Sequence, residues 1–69
     1  MRLSTRNQIA GTVQDVRTGE AMATVKVRIG TGELITAAIT AEAVDNLGLE
    51  IGAPVTILVK ATEVMLATD

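Results

Sequence analysis

The sequence predicts an all-β barrel of five strands, with one short helix between the third and fourth. Three observations carry that expectation. Apolar residues fall in short runs of small and β-branched side chains, with a clean period of two from Ala21 to Ile29. Glycine-containing clusters punctuate the runs, as at Arg17-Thr18-Gly19-Glu20 and Gly30-Thr31-Gly32-Glu33. One stretch alone, opening at Thr40, carries helix signals.

Ile9, Gly11 and Val13 share one parity and Val16 breaks it. That pattern predicts a long bent first strand, with Gly11 permitting a bulge or a close backbone approach. In the second strand Ala23, Val25, Val27 and Ile29 face one side, and Thr24, Lys26 and Arg28 the other. The third, Leu34 to Ile39, has low polarity on both faces, which predicts burial on both sides. Thr40 is a good N-cap, and Glu42 in the first turn complements the helix dipole. Val44, Leu47 and Leu49 form the inward stripe, and Gly48 is the C′ residue. After the turn at Glu50-Ile51-Gly52-Ala53-Pro54, Val55 to Leu66 is almost wholly apolar or β-branched. It predicts two short strands with a bend near Ala61, the last being Glu63 to Leu66. Five strands and a helix in this order, within one domain over residues 1–69, fit a Greek-key barrel of the OB type.

Composition narrows the function. The chain has 69 residues, near the lower limit for independent folding, and 48% are hydrophobic, yet Phe, Tyr and Trp are absent. Chains this short need a staple. No Cys is present, so it is not a disulfide; with no His either, a structural zinc site lacks its usual ligands and is not expected. Oligomerisation remains, and the apolar surplus favours it. Net charge is −2 and no basic run occurs. Without aromatic stacking platforms, a nucleic-acid-binding module is disfavoured. The longest uncharged stretch, Ile51 to Val59, is too short to span a bilayer, as is Leu34 to Ala41, and Met1-Arg2-Leu3-Ser4 lacks the apolar region of a signal peptide. A cytoplasmic location is the expectation. No enzyme is expected, because no His or Cys is available to build a nucleophile–base pair. No carboxylate cluster resembles a loop for a bare metal cation.

Anion binding is better served. Lys60 is the one cation inside the long apolar run. A lone ammonium there must snorkel to solvent, pair with a carboxylate, or hold an anion. Ala61 and Thr62 follow it and offer free backbone N–H groups if the strand bends there. Arg6 is flanked by the hydroxyls of Ser4 and Thr5. Thr40 adds a hydroxyl, and first-turn N–H groups near Glu42 and Ala43 point the same way. A tetrahedral dianion wants this mixture of cations, hydroxyls and main-chain donors.

Three stretches resemble a known family. Ser4-Thr5-Arg6-Asn7-Gln8 resembles the Ser-Ala-Arg-Asn-Gln opening of the Mop domain, the molbindin family. Ala38-Ile39-Thr40, then Leu47-Gly48-Leu49 and Gly52, resemble its middle. Lys60-Ala61-Thr62-Glu63-Val64-Met65-Leu66 resembles its close, Lys-Ala-Ser/Thr-x-Val-Met-Leu/Ile. The resemblance covers essentially the whole chain as a single Mop domain. It implies an OB-type barrel that binds molybdate, and tungstate too, as an intracellular oxyanion store. It implies homo-oligomers, hexamers built as trimers of dimers, with sites at subunit interfaces. Position by position, Ser4, Arg6 and Lys60 match ligand positions, Thr40 a hydroxyl contributor, and Ala43 and Ala61 main-chain contributors. Two departures stand out: Thr5 replaces the usual Ala, and Ala43 stands where some relatives have Ser. A molybdenum–pterin cofactor would want aromatic or wide polar contacts, and none are evident, so no organic cofactor is expected. The alternative is an OB-type oligomerisation or nucleic-acid-binding module without an oxyanion.

Overall fold

The computed structural model describes residues 3–69; Met1 and Arg2, the start of the polar lead, lie outside the described residues. Four strands and one α-helix follow in order. They are β1 (Asn7–Thr18), β2 (Met22–Ile29), β3 (Leu34–Thr40), α1 (Ala41–Leu47) and β4 (Pro54–Val59), with a 3₁₀ turn at Ala61–Glu63. The strands form one antiparallel sheet in the order β3-β2-β1-β4. Three strands joined by hairpins, with a fourth returning beside the first, make a Greek key. The sheet curls around an apolar core in an all-β, OB-like fold.

The long first strand is bent, and the bend sits at Gln14 rather than at Gly11. Val13 pairs with Val27 and Asp15 with Lys26, so Gln14 is the extra, unpaired residue of a bulge. The bulge explains why Val16 breaks parity. One inserted residue turns the strand over, so Val13 is buried and Val16 also packs on the core. Gly11 serves the other expected purpose, close approach. A Cβ there would lie 2.5 Å from Val27 Cγ1 and 3.0 Å from the Arg28 carbonyl.

The core is thin. Val13, Ala23, Val25, Val27 and Val44 are the buried apolar residues among those described. β2 supplies three of them, in the alternation the sequence predicts. β3 departs from expectation. It pairs with β2 alone and alternates between half-buried and exposed, because an edge strand of a curled sheet has its outer face in solvent. Helix α1 is capped as its ends predict. Thr40 is extended and its Oγ1 accepts from the Ala43 N–H at 3.0 Å; Gly48 ends the helix at φ 64°. Val44 is buried and Leu49 packs on the core, but Leu47, expected inward, is 68% exposed. The seven-residue helix has one narrow stripe against the sheet, and Val44 occupies it.

The fifth strand, expected at Glu63 to Leu66, does not form. After the 3₁₀ turn the chain runs on from Val64 without a ladder partner among the described residues, and Met65 and Leu66 are each 92% exposed. β-Propensity read correctly as extended backbone at Val64, but a strand also needs an edge to pair with, and the 3₁₀ turn redirects the chain after β4.

Gly11→Ala is expected to destabilise the fold by about 1–3 kcal/mol, the usual penalty for overpacking. The displaced atoms include a backbone carbonyl, which cannot rotate away. Urea denaturation of the variant beside the parent measures the loss.

Candidate functional site

The cleft that holds the candidate ligands is a consequence of one register. β1 and β4 pair antiparallel from Thr12↔Pro54 to Asn7↔Val59. Continued past its last pair, that register sets Arg6 against Lys60, Thr5 against Ala61 and Ser4 against Thr62. The strands do not continue. Bends at Ser4 and Arg6 turn one end away, and the 3₁₀ turn at Ala61–Glu63 turns the other. The two ends splay and leave an open cleft of about 420 Å³ lined by Ser4, Thr5, Arg6, Leu58, Lys60, Ala61 and Thr62.

Local hydrogen bonds hold both walls. Asn7 Nδ2 donates to the Val59 carbonyl at 3.0 Å, clamping the strands where they part. Gln8 Nε2 donates to the Thr5 carbonyl at 2.8 Å, folding the polar lead back onto β1. On the other wall, the Glu63 N–H donates to the Lys60 carbonyl at 2.8 Å. The first N–H groups of a helical turn have no partner within it. Those of Ala61 and Thr62 meet no backbone carbonyl among the described residues.

The electrostatics are one-sided. Arg6 and Lys60 line the cleft, and no carboxylate among the described residues does. The ion pair found among the described residues is Arg17 with Asp15 at 3.1 Å, elsewhere on the surface. Like charges lining one cleft repel, and salt screens that repulsion. Two cations, three hydroxyls and two available N–H groups are the kinds of donor a small anion takes.

Of the residues singled out from sequence, Ser4, Arg6, Lys60 and Ala61 come together in this cleft. Thr40 and Ala43 do not. They sit at the junction of β3 and α1 and bond each other across the helix cap. The Ala43 N–H is thereby committed to Thr40, while the Thr40 hydroxyl proton remains available to donate. Leu58 escaped the sequence reading. Its parity with Lys60 along β4, two residues apart on one face, is the signal that finds it. No group of three or more His, Cys, Asp or Glu among the described residues is placed to hold a metal ion. No helix is long and apolar enough to cross a membrane.

An OB-like Greek-key fold with a cationic, hydroxyl-lined cleft at a strand end defines the class of molecule. The TOBE domain model matches residues 3–66. A probable molybdenum-pterin-binding protein of Haemophilus influenzae is 35% identical over 69 residues, the full length of both chains. The structure of a molybdate-binding protein from Sporomusa ovata superposes with a TM-score of 0.93 at 38% identity, covering 99% of this chain and 100% of that one. The cytoplasmic molybdate-binding protein ModG, solved with molybdate bound, superposes with a TM-score of 0.90 at 42% identity, covering 94% of this chain and 46% of that one. The chain belongs to the TOBE domain family, in its Mop-like (molbindin) group.

If Arg6 and Lys60 repel across the cleft, replacing one relieves the empty protein. Lys60→Gln is expected to stabilise the ligand-free protein slightly at low salt, by roughly a few tenths of a kcal/mol, seen as a small rise in melting temperature that vanishes at high salt. Thermal denaturation at two ionic strengths reads the difference.

Proposed function

We propose that the chain binds molybdate, and tungstate with it, in the cleft between the polar lead and the end of β4, as a cytoplasmic store or buffer of the oxyanion. The observation that carries this reading is the placement of Arg6 and Lys60 on facing walls with no carboxylate between them among the described residues. The relatives named for molybdate binding, alike over nearly the whole chain, support the choice of anion. No aromatic side chain exists anywhere in the sequence to stack a pterin ring, so the oxyanion is the ligand rather than an organic cofactor.

Lys60 supplies a point charge with three donors, and Arg6 a planar fork. Ser4 donates a hydroxyl bond and Ala61 a backbone N–H. Thr40, with its hydroxyl proton, and Ala43, whose N–H reaches an anion only as a shared donor, lie outside the cleft of their own chain. They contribute from a second copy, so the site is completed at a subunit interface. Assembly has independent support. Ile51, Leu47, Met65 and Leu66 are 68–92% exposed, more apolar surface than five buried core residues balance. A homo-oligomer, a hexamer built as a trimer of dimers, covers it. Discrimination against sulfate rests on size, since charge and shape are alike; molybdate and tungstate are too similar to separate strongly.

Lys60→Ala is expected to weaken molybdate binding by about ten- to a hundredfold, the equivalent of roughly 1.5–3 kcal/mol for a charge-assisted bond. Isothermal titration of parent and variant, with sulfate as control, measures it. A variant that binds as tightly as the parent removes Lys60 from the site. Molybdate is also expected to raise the melting temperature of the parent in a concentration-dependent way, because it binds the folded state. A melting temperature unmoved by molybdate favours an oligomerisation module without a ligand.

A further inference from the structure

On the oxyanion reading above, we infer that Thr5 is an additional anion-binding residue of the cleft, its hydroxyl donating to the ligand from the floor. Thr5 is the one lining residue that is half-buried; Ser4, Arg6, Leu58, Lys60, Ala61 and Thr62 are all exposed. Its backbone is fixed by the Gln8 side chain on its carbonyl at 2.8 Å, three residues along. Two residues on, Asn7 is clamped to Val59. A β-branched side chain on a fixed backbone has few rotamers. Arg6 and Lys60 lose more side-chain freedom on engaging a ligand, whereas the Thr5 hydroxyl is positioned beforehand.

The remainder of the donor set shows what Thr5 adds. Ala43 carries no hydroxyl, and its N–H is held by the helix cap. The Thr40 oxygen accepts that bond, so this hydroxyl has one proton to give and a geometry set by the cap. An opening that carries Ala at position 5 has no side-chain donor there. Here the threonine supplies one, against a fully ionised acceptor, where a hydrogen bond counts for more than between neutral groups.

The test is molybdate titration of the full chain as parent, Thr5→Val, Thr5→Ala and Thr5→Ser. Valine keeps the shape and removes the hydroxyl; serine keeps the hydroxyl. The expected result is parent-like binding in T5S and a loss of about tenfold or more in T5V and T5A. Alanine leaves the backbone bond to Gln8 intact, so T5A gives the answer even if T5V folds poorly. Binding within twofold of the parent in T5V or T5A overturns the role of Thr5 and leaves the oxyanion reading standing. A parent that takes up no molybdate overturns the oxyanion reading itself, and Thr5 with it.

Discussion

β1 and β4 pair over six residues and then part at Asn7 and Val59, and the cleft exists because of where that parting falls. The antiparallel register brings the two ends of the chain together across the sheet. It brings Arg6, the last residue of the polar lead before β1, near the last cation of the chain, Lys60, although 53 intervening residues separate them in sequence. Slipping the register by one residue would turn Val55 and Ile57 away from the core. The apolar alternation of β4 therefore fixes the chemistry at its end.

The rest of the fold serves to hold that register. β1 and β2 are the strands paired on both sides, and β1 lies between β2 and β4. Gly11 lets it press against Val27, and the bulge at Gln14 re-aims it so that Val13 and Val16 reach one core. Helix α1 closes one end of the curled sheet through Val44. With so few buried side chains, each of these devices carries a large share of a small stability. The exposed leucine and methionine side chains that remain are the surface that, in the proposed oligomer, a second copy would cover.

Much of this was legible in the sequence, and the failures have physical causes. Period-two alternation gave β2 its strand and its faces because Ala23, Val25 and Val27 are buried on one side only. Thr40 and Gly48 marked the helix ends because cap chemistry is local. Gln14 could not be read as the bulge, since a bulge belongs to a pair of strands rather than to one residue. Leu47 looked inward by spacing, but the short helix contacts the sheet through a single turn. Val64 to Leu66 had the propensity of a strand and no neighbour in its own chain to pair with. At the cleft, residue type pointed to Ser4, Arg6, Lys60 and Ala61; only the register shows that they meet, and that Thr40 and Ala43 stand apart.

Native mass spectrometry of the protein with molybdate, and with sulfate as control, tests the central claim most directly. A hexamer that gains molybdate in discrete mass steps and ignores sulfate is the predicted result. A monomer would contradict the completion of the site by a second copy, and a hexamer indifferent to molybdate would contradict the oxyanion site between Arg6 and Lys60.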